Sequence, residues 1–114
     1  SYTAWVTVST PPVIRTYFDA SAARDVDALA ACFSEDARVA DDGKEYVGVE
    51  AIRGWKASTD AAFEYTTQII SSEQDDRGYL VTATIAGDFP GSPIDLQYRF
   101  ALAGNLICEL QIAP

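Results

Sequence analysis

Asp41 and Tyr17 are the residues whose types and spacing best suit chemistry. Asp41 closes a run in which Ala37, Val39 and Asp41 alternate with Arg38, Ala40 and Asp42, so its parity turns it toward the apolar side of that segment. A carboxylate there needs hydrogen-bond partners or a raised pKa, the conditions under which a general base is made. Tyr17 falls at helical spacing with Val13, Ile14, Phe18 and Ser21, and a phenol facing inward needs a partner that a ligand oxygen can supply. Each residue also has a plainer reading. Asp41-Asp42-Gly43 has the composition of a solvated turn, and an inward Tyr17 can bond a backbone carbonyl of the core.

The rest of the composition narrows the chemistry further. The chain has 114 residues and no histidine, which removes the commonest metal ligand, the Ser/His and Cys/His nucleophile systems and the usual proton carrier near neutrality. Acid–base work therefore falls to carboxylates, Tyr or Lys. Two cysteines without histidine cannot complete a common structural zinc site, so neither metal nor cofactor is expected. Cys32 and Cys108 lie among apolar neighbours, the pattern of buried free thiols. Seventeen acidic against eight basic residues give a net charge of −9, which repels nucleic acid and anionic membranes. The runs Glu35-Asp36 and Glu73-Gln74-Asp75-Asp76 read as solvated surface. No stretch approaches the ~20 apolar residues of a membrane span. The opening Ser1-Tyr2-Thr3-Ala4-Trp5 lacks the order of a signal peptide, so a cytoplasmic location is expected.

The elements that must position Asp41 and Tyr17 come as helices first and strands afterwards, the order of an α+β domain spanning 1–114. Thr10-Pro11-Pro12 has the chemistry of a helix start, with Thr10 as the capping hydroxyl. A short second helix follows Asp25 as its cap, with Val26, Leu29, Ala30 and Phe33 inward, and ends at Ser34-Glu35-Asp36. A strand from Ala37 turns at Gly43 and returns over Lys44 to Val47. Gly48 then opens a third helix with Ala51, Ile52 and Trp55 as its apolar stripe, fading near Ser58-Thr59-Asp60. The remainder reads as a four-stranded meander over 63–72, 79–86, 94–102 and 106–112. In its third strand Leu96, Tyr98, Phe100 and Leu102 share one face, and Asp95, Gln97, Arg99 and Ala101 the other. Three helices on a curved, mostly antiparallel sheet enclose a cone whose wide end is a pocket. Trp55, Tyr65, Phe89 and Tyr98 are candidates to line it, although aromatics at such spacing also serve as plain core.

This succession of residues resembles the nuclear transport factor 2-like superfamily, in its SnoaL-like and ketosteroid-isomerase-like branch. The resemblance runs from about Val13 to Ile112 and is carried by Tyr17-Phe18, Ala23-Arg24-Asp25-Val26-Asp27-Ala28-Leu29, Phe33-Ser34-Glu35-Asp36-Ala37, Tyr46-Val47-Gly48 with Ile52 and Trp55, and Tyr98-Arg99-Phe100 before Gly104. In the isomerases a Tyr of the first helix polarises a carbonyl, an Asp ending the first strand moves the proton, and a second, protonated Asp shares the oxyanion; carboxylate tuning there is a standard example. The resemblance places Tyr17 at the first position and Asp41 at the second. The third falls to Asp95 if Pro93-Ile94-Asp95 is matched, or to Leu96 if Tyr98-Arg99-Phe100 is matched. Strand alternation favours Leu96, since Asp95 turns inward only through a bulge.

The resemblance implies a small enzyme without cofactor that moves a proton next to a carbonyl on an apolar cyclic or aromatic substrate. Asp41 is then the base, Tyr17 the electrophile, and Trp55, Tyr65, Phe89, Leu96 and Tyr98 the substrate-binding wall. The alternative is a non-catalytic domain of the same fold, holding an apolar ligand or a partner segment. Asp88 is either a guard at the pocket mouth or a solvated loop residue. An epoxide-opening Asp-Arg-Asp set is disfavoured because Arg38 and Arg99 have outward parity, and the histidine-dependent dehydratases of the fold are excluded. The family commonly pairs through the outer face of its sheet, so Gln97, Arg99 and Ala101 are expected at a homodimer interface.

Overall fold

A computed structural model describes residues 6, 7 and 9–114; the opening segment 1–5, considered above as a leader, lies outside them. Three helices, α1 (Pro12–Ala22), α2 (Val26–Ala30) and α3 (Val49–Ala62), pack on a curved, unclosed and mostly antiparallel sheet. Its strands are β1 (Val6–Thr7), β2 (Phe33–Asp41), β3 (Lys44–Val47), β4 (Tyr65–Asp75), β5 (Gly78–Gly87), β6 (Ile94–Ala103) and β7 (Leu106–Ala113), in the order β1-β4-β5-β6-β7-β2-β3. The meander β4 to β7 is as the alternation predicts. β2 joins it in parallel beside β7, and this pairing brings Asp41 level with Ile112. No helix among the described residues is long and apolar enough to cross a membrane.

The helices follow their local chemistry with two departures. Pro11, not Thr10, is the N-cap of α1; no side chain caps it, and Pro12 fills the first helical position, where the missing N–H costs nothing. α2 is capped as its sequence implies, the Asp25 carboxylate accepting from the Ala28 N–H at 3.0 Å. α3 starts after Gly48, whose φ of +91° favours glycine, and runs two residues past the expected fade. Its last carbonyls are held from outside, since the Arg24 guanidinium donates to the carbonyls of Asp60 and Phe63.

The second strand corrects a larger expectation. Ser34-Glu35-Asp36 does not merely end α2 but belongs to β2, which begins at Phe33. Phe33 pairs with Ile107, and the register then shifts before Arg38 meets Glu109. On β7 the extra residue is Cys108, skipped between the partners of Leu102 and Ala101. That bulge keeps Ile107 and Leu110 both buried and leaves Cys108 half-buried instead of in the core; both cysteines are free thiols. The short β1 beside β4 was not anticipated.

The narrow end of the cone is packed by Ile14, Leu29, Val39, Ile52, Phe100, Ile107 and Leu110, all fully buried. Each such aliphatic contributes about 1.5–3 kcal/mol. Tyr17 stands edge-on to Phe18, Phe33 and Phe100, with ring centroids 5.1, 6.0 and 5.5 Å away, so α1 is fixed in rotation against the sheet. What α1 presents beyond this cluster is the Tyr17 hydroxyl.

Candidate active site

Strand parity carries Asp41 to the open end of the cone. Ala37 and Val39 are fully buried on the inner face of β2, and Asp41 is the next inward position, half-buried at the strand end. The β2–β3 hairpin turns through Asp42 and Gly43, both at positive φ, as a tight two-residue turn requires. Asp41 and Asp42-Gly43 therefore do separate things: the turn lies in solvent while the Asp41 carboxylate faces inward. There Trp55 of α3 donates its indole N–H to Asp41 Oδ2 at 3.0 Å. One carboxylate oxygen is thus oriented from the helix, and the other has no partner among the described residues.

Asp41, Tyr17, Trp55, Tyr65, Phe89, Leu96 and Tyr98 all line one cavity of about 500 Å³. The structure thus brings together every site residue expected from the sequence, from three strands (β2, β4 and β6), two helices (α1 and α3) and the β5–β6 loop. Leu96 faces the cavity and Asp95 does not: Asp95 lies exposed on the outer face, accepting from Thr84 Oγ1 at 2.6 Å. β6 has no bulge at this point, so the third isomerase position holds a leucine. Asp88 is not a gate. Its carboxylate accepts from the Glu64 N–H at 2.9 Å and ties the β5–β6 loop to the start of β4.

Burial controls the phenols. Tyr17 resists ionisation far more than a free tyrosine, first because it is removed from water and then because Tyr98, Tyr65 and Asp41 stand near it as negative or potentially negative groups. Tyr98 is raised for the same reasons, with Tyr65 ahead of Asp41. Both are therefore neutral hydrogen-bond donors at ordinary pH. No described residue accepts a hydrogen bond from either hydroxyl.

Sequence reasoning missed one charged group. Lys56 is 1% exposed, lines the cavity, pairs with Asp60 and lies 2.9 Å from the Tyr65 hydroxyl. The signal was present: Lys56 is four residues after Ile52, on the buried stripe of α3. Among the described residues no group of Cys, Asp and Glu is arranged to hold a metal.

Residues 14–109 match the model of the SnoaL-like domain. The chain belongs to the SnoaL-like family. Among solved structures, this SnoaL-like domain is similar to a Sinorhizobium meliloti protein put forward as a polyketide cyclase, with 38% identity, a TM-score of 0.88, and 91% of this chain and 95% of that one covered. It is also similar to a Catenulispora acidiphila protein of ketosteroid isomerase-like fold, solved with trimethylamine, at 25% identity, a TM-score of 0.82, and 93% and 87% coverage. A de novo designed protein with a curved β-sheet shares the fold at 16% identity and a TM-score of 0.65, covering 89% of this chain and 95% of its own. No curated protein matches the sequence. The SnoaL-like domain is thus a nuclear transport factor 2-like cone, a shape that carries different functions.

Proposed function

We propose that the protein is a cofactor-free acid–base enzyme acting next to a carbonyl on an apolar cyclic or aromatic molecule. The observation that carries this reading is the presence of Asp41 and Tyr17 in one largely apolar cavity, the carboxylate oriented by Trp55 and the phenol held neutral by burial. Asp41 takes a proton from the carbon beside the carbonyl, and Tyr17 donates to the carbonyl oxygen as negative charge develops there. The proton returns from Asp41 to another carbon, or the enolate carbon attacks a second carbonyl of the same molecule, whose C=O π bond opens to an alkoxide that takes the proton back from Asp41. Aromatic walls from Trp55, Tyr65, Phe89 and Tyr98 hold the flat substrate body. The similarity to a protein put forward as a cyclase supports the class of reaction.

The test is Asp41→Asn. Asparagine keeps the shape and can still accept the Trp55 hydrogen bond, but it has no basicity. Turnover of a cyclic enone or polyketide-like ester should fall about 10²–10⁴-fold, while binding of a planar phenol survives or tightens. A second reading, a non-catalytic binder, is favoured by the leucine at position 96, which leaves the isomerase acid unfilled. No conversion of any such compound by the unaltered protein would establish that reading instead. We further propose that two copies pair through the outer sheet face around Gln97, Arg99 and Ala101.

A further inference from the structure

The buried pair on α3 has a consequence for Tyr65 that follows from hydrogen-bond polarity alone. A lysine ammonium has three donors and no acceptor, so between Lys56 Nζ and Tyr65 Oη, 2.9 Å apart, the phenol oxygen must accept. Tyr65 retains one proton, and that proton cannot point back at the ammonium. No described residue accepts it. Asp60, which holds Lys56 through Oδ1, leaves its buried Oδ2 without a partner among the described residues, so it does not take the Tyr65 proton either. Nζ lies 5.3 Å from the Tyr65 ring centroid and 2.9 Å from its oxygen, beyond the hydroxyl and not over the ring face. Among the described residues Lys56 is the one basic residue lining the cavity, and Asp60 keeps it in place.

We infer that Tyr65, polarised by Lys56, donates to the oxygen of whatever occupies the cavity, and with Tyr17 forms the oxyanion site that Leu96 cannot complete. The inference rests on the carbonyl chemistry proposed above. An ammonium held against the phenol oxygen draws electron density from the O–H bond and strengthens the donor as charge grows on the ligand. No covalent bond is made to Tyr65 and its proton stays in place. Lys56 is a positioning residue, since it acts through Tyr65. Tyr65 stands close enough to Tyr17 and Tyr98 to help hold both of those phenols neutral after burial, as one cluster of hydroxyls at the cavity wall would. The ligand class that fits is a flat apolar molecule with an oxygen that becomes anionic: an enolate, or a phenolate in its place.

The experiment uses 2-naphthol, whose absorbance distinguishes phenol from phenolate, with naphthalene as a control of the same shape. Tyr65→Phe should lower the ratio of ionised to neutral bound naphthol roughly ten- to a hundred-fold, the range for losing a hydrogen bond to a charged group, and leave naphthalene affinity unchanged. Lys56→Met alone orphans the buried Asp60 and risks the fold. The double variant Lys56→Met/Asp60→Asn avoids that and should shift the same ratio in the same direction by less. An unchanged ratio in Tyr65→Phe overturns the inference. If Tyr17→Phe alone shifts the ratio, Tyr65 is excluded and the carbonyl-polarising role of Tyr17 stands. If neither phenol matters, or naphthol does not bind, both readings fall.

Discussion

A phenol sealed from water makes its environment measurable through pH. Folding raises the ionisation of Tyr17 and Tyr98 above the unfolded value near 10. The folded state therefore holds their protons more tightly, and this contribution to stability is fully present below about pH 10 and lost as pH climbs through the higher folded values. Melting temperature should fall on the alkaline side of pH 10. In Tyr17→Phe the fall should be shallower, and at neutral pH the variant should melt near or slightly above the parent, since the lost hydroxyl has no partner among the described residues. Equal alkaline slopes in thermal melts of parent and variant from pH 7 to 11 would refute the assignment. At this scale the sequence was legible where parity is simple: Asp41 after two buried alternates, Tyr17 beside Ile14 and Phe18, Leu96 in phase with Tyr98. Lys56 was not, because lysine ordinarily reads as surface and its buried position depends on Asp60 and Tyr65 arriving together.

Where two elements meet, a single backbone position controls how Tyr65 is held. Gly87 of β5 lies opposite Tyr65 of β4 in the antiparallel register. A Cβ at Gly87 would stand 2.2 Å from the Glu64 carbonyl oxygen and 2.8 Å from Tyr65 Cα, so the strands must separate to admit it. Gly87→Ala should cost about 1–3 kcal/mol in urea unfolding, the usual scale of overpacking, and should weaken naphthol binding by moving Tyr65. A variant with parent stability would show that the strand pair yields freely. The four-strand meander was readable from alternation and turn residues, and α2 from its Asp25 cap. The start of β2 was not, because Phe33 pairs with Ile107 far along the chain, and Ser34-Glu35-Asp36 has no inward period of its own before the register resumes at Ala37. The bulge at Cys108 was equally hidden, since periodicity assigns alternate residues while the ladder skips one.

For the whole molecule, charge and size decide how two copies can meet. Each chain carries −9 within extents of 41 × 31 × 25 Å. At about 10 mM salt the screening length is roughly 30 Å, comparable with the molecule, so two copies repel as bodies; at about 150 mM it is roughly 8 Å and only facing groups matter. On the outer sheet face those groups are of both signs: Arg77 and Arg99 share a groove with Asp75 and Glu109, beside Gln111. A dimer through Gln97, Arg99 and Ala101 therefore joins a locally balanced surface on globally like-charged bodies. Sedimentation at tens of micromolar, about the range in which a weak dimer populates, should show dimer at 150 mM salt and a shift toward monomer at 10 mM. The opposite trend would place attraction between unlike charges at the centre of the contact. Monomer at both salt concentrations would mean that the outer face does not pair, and that the cavity with Asp41, Tyr17 and Tyr65 works within a single chain.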